Sequence, residues 1–431
     1  MTSPSFRSDF LQTLQSRGYI HQITHPEELD AALNAGIVSA YIGFDATAPS
    51  LHVGSLIQIM MLRRLQQAGH RPVVIMGGGT TKVGDPTGKD ASRPQLSDAT
   101  IKANIASIRT VFERFLTFGD GPTDAIMIDN DDWLSTYGYV QFLRDYGTHF
   151  TVNRMLAFDS VKIRLEREEP MTFLEFNYML MQSVDFLELN RRHNVTLQMG
   201  GSDQWGNITS GVDLVRRVDQ KSAFGLTTPL LTTASGGKMG KTAQGAIWLN
   251  AEQLSPYDYW QFWRNVDDAD VGRFMRLFTD LSLDEIAKLE ALEGAAINDA
   301  KKALADAATT MLHGAEAAAT ARKRAEAVFE MGVTSAHKMI DFIWRGTDEE
   351  IARNGGKEFT RRSTAVLVQK AGLAPSMKQA TNLIKGGGVR INGQVVTNAE
   401  RFFALDEVEQ PSGAFEIQVG KRGQIVLVRP V

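Results

Sequence analysis

The first half of the chain alternates short apolar runs with segments of helical period, and few folds accommodate that order. Residues 38–44, 72–76, 125–128 and 195–199 each read as a strand ending in turn residues. Between the first two, Val53, Leu56, Ile57, Met60 and Met61 recur at helical spacing, with Arg63, Arg64, Gln66 and Gln67 on the outside. Strand–helix–strand order with short apolar strands predicts an α/β fold built on a Rossmann-type doubly wound parallel sheet. Such sheets bind ligands beyond the carboxyl ends of their strands, where the strand order reverses.

The pattern changes after Asn250. Residues 255–345 are helical in character and rich in alanine, with no strand in view. Residues 346–358 are charged and Gly-rich, which reads as a linker. Residues 359–431 return to mixed α and β around Gly386-Gly387-Gly388 and Asn392-Gly393 turns. A chain of 431 residues is too long for one ordinary core and suggests several domains. The net charge of −4 conceals an asymmetry: from Arg361 to Val431 there are ten Lys or Arg against five Asp or Glu. A basic terminal module on an acidic body is the arrangement of a nucleic-acid reader joined to an enzyme, although charge alone also describes a solvated face. No apolar run is long enough to span a membrane. Arg7 and Asp9 interrupt the stretch where a signal peptide needs its apolar core. Without cysteine there is no disulfide, no thiolate zinc site and no cysteine nucleophile. The expected compartment is the cytoplasm.

Gly77-Gly78-Gly79, followed by Gly84, Gly88 and Lys89, misses the spacing of a P-loop and of the dinucleotide fingerprint. Two other motifs offer phosphate binding. His52-Val53-Gly54-Ser55 stands between a strand and a helix, where free backbone N–H groups and the helix dipole favour anions. An imidazole there can donate to a pentacovalent phosphorus centre, and Gly54 lets a nucleotide approach the backbone. Lys238-Met239-Gly240-Lys241-Thr242 lies in a Gly-rich loop. Its two ammonium groups can close on a pyrophosphate leaving group, most strongly in the transition state. Each motif alone is weak, since a helix-start His is commonly a cap and a Gly/Lys loop an exposed turn.

In this order the two motifs resemble the HIGH and KMSKS signatures of class I aminoacyl-tRNA synthetases. Further stretches resemble bacterial-type tyrosyl-tRNA synthetases over nearly the whole chain. They are Tyr41-Ile42-Gly43-Phe44-Asp45-Ala46-Thr47, Gly84-Asp85-Pro86-Thr87-Gly88-Lys89, Gly200-Gly201-Ser202-Asp203-Gln204-Trp205 and Ser255-Pro256-Tyr257-Asp258-Tyr259-Trp260. Residues 372–380 and 383–393 are similar to the S-four-like RNA-binding module. The resemblance implies a catalytic domain over 1–235, then the KMSKS-like loop and an α-helical anticodon-binding domain over 236–345. A linker over 346–358 and a small α+β S-four-like domain over 359–431 complete it. Two positions depart from the family. Ser55 replaces the second His of the first motif, and Ala46 replaces the usual Pro before Thr47, which is expected to loosen that turn.

The tyrosine pocket also has a reading of its own. Tyr178, Gln182 and Asp185 stand at i, i+4 and i+7, on one face of an otherwise apolar helix. Polar groups there are costly unless paired. The resemblance assigns the substrate phenol to Asp185 and the Tyr41 hydroxyl, and its α-ammonium to Tyr178, Gln182 and Asp85. Phenylalanine would leave Asp185 and Tyr41 buried and unpaired. By the same resemblance Asp203 and Gly201 hold the ribose, Gln204 and Gln198 surround the reacting carboxylate, and Asp45 and Gly54 belong to the adenylate site. Thr47 and His52 would meet the γ- and α-side phosphates, and Lys89, Arg93, Lys238 and Lys241 the pyrophosphate. Lys378, Lys385 and Arg390 would face RNA.

The implied reaction is ATP-dependent activation of tyrosine to tyrosyl-adenylate and its transfer to the 3′-terminal adenosine of tyrosine tRNA. The implied enzyme is a homodimer with no permanent cofactor or bound metal, Mg²⁺ arriving with ATP. The nearest alternative is a tryptophanyl-tRNA synthetase, against which Asp185 opposite Tyr41 speaks. A non-catalytic RNA-binding protein on the same fold is a second, against which His52, Lys238 and Lys241 speak.

Overall fold

Six strands build the main sheet: β1 (Gln22–Ile23), β2 (Ser39–Phe44), β3 (Arg71–Met76), β4 (Ile126–Asp129), β5 (Val195–Gly201) and β6 (Phe224–Thr228). They lie in the order β1-β6-β5-β2-β3-β4, all parallel except β1 against β6. The computed structural model describes residues 5–86, 96–234, 236–237, 239–242, 245–330, 338–342, 344–347, 350–351, 354, 357–408, 415–420 and 425–430. The four expected strands are present, with ends moved by a residue or two. β6 escaped the pattern because Phe-Gly-Leu-Thr-Thr, though buried throughout, offers only two apolar side chains.

The chain winds from β2 outward through β3 to β4, returns to β5 beside β2, and winds the other way to β6. Crossovers of one hand running in opposite directions put their helices on opposite faces of the sheet. The reversal falls between β2 and β5, which is where a doubly wound sheet opens its ligand crevice. Helix Val53–Gln67 packs over β2, β3 and β5, and helices Tyr178–His193 and Trp205–Asp219 pack on β5.

The chain divides into two compact units, Met1–Ala321 and Arg322–Val431. In the first, the helices after residue 255 are fastened to the sheet layer through the far end of helix Val53–Gln67. Arg63 and Arg64 both reach Asp280, at 2.5 Å each. Arg17 donates to the carbonyls of Arg276, Thr279 and Leu281, and Arg64 to that of Thr279. Helices Pro256–Arg264, Val271–Phe278 and Ile297–His313 bury Tyr259, Trp260, Trp263, Phe274 and Phe278 between them. No helix among the described residues is long and apolar enough to cross a membrane.

The second unit holds a five-stranded sheet. Its order is Gln394–Val396, Val389–Ile391, Phe415–Val419, Ile425–Pro430 and Lys338–Phe342, the last two parallel. Strand Lys338–Phe342 corrects the expectation of a strandless stretch from 255 to 345. Its partner lies more than 80 residues on, so no local pattern announces it. Phe342 and Trp344 join Leu367, Ile384 and Phe415 in this unit's core. Glu350, within the stretch read as a linker, pairs with Arg362 at 3.3 Å and Lys370 at 3.0 Å. Helices Thr364–Lys370 and Met377–Lys385 are capped by Ser363 and Ser376, whose hydroxyls accept the N–H of Val366 and Gln379.

Candidate active site

The carboxyl ends of β2 to β5 hand polar residues to one crevice. At its base Asp185 is buried on helix Tyr178–His193, the helix face foreseen from spacing. Its Oδ2 accepts from Asn130 Nδ2 at 2.9 Å and its Oδ1 from Trp133 Nε1 at 2.7 Å. Asn130, just past β4, also donates to Thr80 Oγ1 (3.1 Å) and accepts from the N–H of Gly79 (2.8 Å). Thr80 Oγ1 donates to Asp45 Oδ1 at 2.9 Å, and the Tyr178 hydroxyl lies 3.4 Å from both Asp45 oxygens. The glycine run after β3 serves this close packing. A Cβ at Gly77 would stand 2.3 Å from Asp45 Oδ1, and one at Gly78 would stand 2.1 Å from Asp129 Oδ1.

Electrostatics at this end set up a polar reader in a dry place. Burial pushes Asp185 up to about 7 against the pull of Asn130 and Trp133, and the charges of Asp45 and Asp129 add to the rise. Burial, helped by the charge of Asp185, holds the Tyr41 phenol neutral well above its ordinary range. The Tyr41 hydroxyl is buried and has no hydrogen-bond partner among the described residues. A buried hydroxyl without a partner costs free energy unless a ligand supplies one.

Nearer the mouth, Gln204 Nε2 donates to Asp85 Oδ2 at 2.9 Å, while Gln204 Oε1 accepts from Gln182 Nε2 at 3.2 Å. Asn207 Nδ2 bridges the two glutamines at 3.0 and 3.1 Å. Gly201 ends β5 and Asp203 follows closely, for a Cβ on Gly201 would stand 2.4 Å from Asp203 Oδ1. Gln198 departs from its expected place. The strand register pairs it with Tyr41 and not with the strand end, and its Oε1 lies against Gly211, 3.0 Å from where a Cβ would be. That puts it at the depth of Tyr41.

The two short motifs lie against each other. His52 caps helix Val53–Gln67, its Nδ1 accepting from the N–H of Gly54 at 3.0 Å. The neutral ring therefore carries its proton on Nε2. The N–H of Val53 donates to Ile247 O (2.8 Å), and that of Ile247 to Gly240 O (3.1 Å). Gly240 has φ +84°, and a Cβ there would stand 2.8 Å from Gly54 N. A Cβ on Gly54 would stand 2.6 Å from the His52 ring and 3.3 Å from Met239 O. Gly240 is therefore needed for the loop to lie on the helix start, and Gly54 for the His52 ring to cap it. Thr47 is exposed in the turn after β2. Ala46 was expected to loosen that turn, but its N–H donates to Thr81 Oγ1 (2.9 Å) and its carbonyl accepts from Asn104 Nδ2 (2.8 Å).

Lys89, Arg93 and Lys238 lie outside the described residues, and for Lys241 only the backbone is described, paired with Ala246. Among the described residues no three His, Asp or Glu are grouped to hold a metal ion. In the second unit Lys378 and Lys385 are exposed, while Arg390 is half-buried with Nη1 3.5 Å from Gly393 O. Asn130, Trp133, Thr80 and Asn207 were missed by sequence reasoning. The first two had a signal, because Asp129-Asn130-Asp131-Asp132-Trp133 is a polar cluster directly after an apolar strand, at the end where sheets of this type bind ligands.

Residues 34–330 match the family of class I tRNA synthetases (W and Y), and residues 365–402 match the S4 domain. The chain is 69% identical over 427 residues to a tyrosine–tRNA ligase of Caulobacter sp. (strain K31), covering 99% of each. It is 57% identical over 422 residues to that of Rhodospirillum rubrum, covering 98% of each. Among solved structures, a C-terminally truncated mitochondrial tyrosyl-tRNA synthetase of Aspergillus nidulans superposes with a TM-score of 0.68 at 30% identity, over 75% of this chain and 95% of that one. An Archaeoglobus fulgidus tyrosyl-tRNA synthetase complexed with L-tyrosine shares the fold, with a TM-score of 0.54 at 18% identity.

Proposed function

The chain belongs to the class I tRNA synthetases of the tryptophan and tyrosine group, and from that premise we propose how its own residues carry out tyrosine–tRNA ligation. The activity joins tyrosine to its tRNA at the expense of ATP, in an enzyme with an S4 domain. The observation that carries the choice of amino acid is Asp185, buried and held on both oxygens, acting on a Tyr41 whose hydroxyl lacks a partner among the described residues. A substrate phenol, donor and acceptor at once, satisfies both groups; an indole N–H can donate to Asp185 but offers no acceptor to the Tyr41 hydroxyl, and a bare phenyl ring satisfies neither. Gln198, beside Tyr41, lines the same pocket. Tyr178, Gln182 and Asp85 receive the ammonium, with Gln204 and Asn207 fixing Gln182 and Asp85 in place.

The tyrosine carboxylate, already ionised, is the nucleophile. Its oxygen bonds to the α-phosphorus of ATP as the bond to pyrophosphate breaks, so no side chain need remove a proton. What accelerates the step is placement and charge. His52, with its proton on Nε2, and the start of helix Val53–Gln67 stabilise the oxygens of the α-phosphorus centre. Thr47 meets the γ-phosphate, and Asp203, with Gly201, Asp45 and Gly54, holds the nucleoside. Lys89, Arg93, Lys238 and Lys241 bind the departing pyrophosphate, and Mg²⁺ comes and goes with the nucleotide. The terminal adenosine of the tRNA then takes the tyrosyl group and AMP leaves.

Further features of the reading concern assembly and RNA. Tyr139, Val140, Val152, Leu156, Ile163, Leu165, Phe173 and Leu174 are exposed large apolar residues within one stretch of chain, which supports a second copy as their cover. Charged substitutions at Val140 and Phe173 should then shift the sedimentation of the protein towards a monomer. The helices after Pro256 approach the anticodon end, and Lys378, Lys385 and Arg390 hold the tRNA backbone. The cytoplasm, which supplies ATP and tRNA together, is the proposed compartment. The decisive experiment is pyrophosphate exchange across the twenty amino acids. Exchange with tyrosine alone supports the reading, and equal exchange with tryptophan or phenylalanine overturns it.

A further inference from the structure

We propose that Thr81 is a positioning residue for the turn that carries Thr47, its hydroxyl doing for Ala46 what a proline ring would do at that place. The proposal rests on the reading of Thr47 as a phosphate contact. A proline at residue 46 would fix φ and have no N–H to satisfy. Alanine does neither: Ala46 is wholly buried, and its N–H must find an acceptor inside the protein. Thr81 Oγ1 is that acceptor at 2.9 Å, while Asn104 Nδ2, from helix Asp98–Phe115, grips the Ala46 carbonyl at 2.8 Å.

Both sides of residue 46 are thus held, by two elements that the sheet itself positions. The N–H of Thr81 donates to Gly77 O at 2.7 Å, and the N–H of Gly77 donates to Phe44 O at 2.9 Å. The end of β2, the end of β3 and the turn of residues 45–47 therefore close into one hydrogen-bonded circuit. Thr80, next to Thr81, takes the side chain of Asp45 in the same circuit at 2.9 Å. Thr47 follows immediately in this braced turn and is exposed. A contact that works by placement loses its effect when displaced by about 1 Å, at a cost on the order of 10²-fold in rate.

The test is single-turnover formation of tyrosyl-adenylate by the full chain carrying Thr81→Val, Thr81→Ser, Thr81→Val with Ala46→Pro, or Thr47→Ala. Thr81→Val keeps the shape but removes the acceptor, and should slow adenylate formation by roughly 10- to 100-fold with tyrosine affinity within about 2-fold. Thr81→Ser keeps the acceptor and should react at nearly the original rate. Adding Ala46→Pro to Thr81→Val removes the N–H that needs an acceptor, and should recover most of the lost rate. A purely structural role would lower the melting temperature without this pattern of loss and rescue. An original rate in Thr81→Val overturns the proposal, as does a Thr81→Ser variant as slow as Thr81→Val, or a double variant no faster than Thr81→Val. Slow reaction in Thr47→Ala beside an original rate in Thr81→Val removes the brace and keeps the reading of Thr47. An original rate in Thr47→Ala removes that reading and the proposal with it.

Discussion

Asp185 shows how one carboxylate can be poised by burial and restrained by neighbours. In the free protein burial lifts it to about 7, while Asn130 and Trp133 donate to its two oxygens. A bound phenol would be a third donor and would favour the ionised form, so tyrosine binding should expel a proton below pH 7. Tyrosine affinity is then expected to weaken as pH falls through about 7, by up to about tenfold per pH unit, and to level off above it. Equilibrium dialysis from about pH 5.5 to about pH 8.5 would show this, and a flat profile would place the carboxyl elsewhere. Tyr41→Phe removes the other partner of the phenol and should narrow the preference for tyrosine over phenylalanine without unfolding the protein. At the phosphate end, His52→Ala should slow adenylate formation by roughly 10²–10³, the scale for one preorganised donor, with little change in tyrosine affinity. Unchanged single-turnover rates would remove His52 from the mechanism. Tyr178, Gln182 and Asp185 were legible because helical spacing is local. Asn130 and Trp133 left only the signal of a polar cluster after a strand, and Thr81 left none, because each meets its partner across strand ends that only the folded sheet brings together.

Among the elements, helix Val53–Gln67 is a strut with chemistry at one end and a clamp at the other. His52 caps its start against the second motif, while Arg63 and Arg64 hold its last turns to Asp280. Its apolar periodicity was plain from the sequence, and so were β2 to β5. β6 and strand Lys338–Phe342 were not, the first for want of apolar residues and the second because its partner is so distant. Helix Ile297–His313 carries a consequence of the same packing. His313 is packed edge-on to the Tyr259 ring, with centroids 5.2 Å apart. Burial pushes it down to about 4, with Arg114 adding to the fall. The folded protein keeps this ring neutral, whereas an unfolded chain protonates it near pH 6.5. Its contribution to stability is therefore complete above about pH 6.5 and declines as pH falls towards 4, by at most about 3 kcal/mol before solvent screening. Urea midpoints measured over this range should fall more steeply for the native chain than for His313→Phe. Parallel curves would show that another group governs the acid limb.

At the scale of the whole molecule, the two units should make activation and charging separable, and strand pairing says where the cut belongs. A chain ended before Lys357 would keep strand Lys338–Phe342 but lose Ile425–Pro430, its partner, leaving an open strand edge and the apolar faces of Phe342 and Trp344. A chain ended after Glu330 avoids both and retains the sheet, His52 and the tyrosine pocket. A relative of known structure, the Aspergillus nidulans mitochondrial tyrosyl-tRNA synthetase, is likewise C-terminally truncated. The shorter protein is expected to stay soluble and to exchange pyrophosphate with tyrosine at close to the full-length rate, while the chain ended before Lys357 aggregates. Charging should separate from activation, because the basic C-terminal unit leaves with Lys378, Lys385 and Arg390. Contacts between Lys or Arg and phosphate supply much of RNA affinity and weaken with salt. The loss should thus be largest at low tRNA concentration and low salt, and should shrink as salt rises and the full-length enzyme loses the same contacts. Full-length charging rates by the truncated chain at subsaturating tRNA would show that the C-terminal unit does not hold the tRNA.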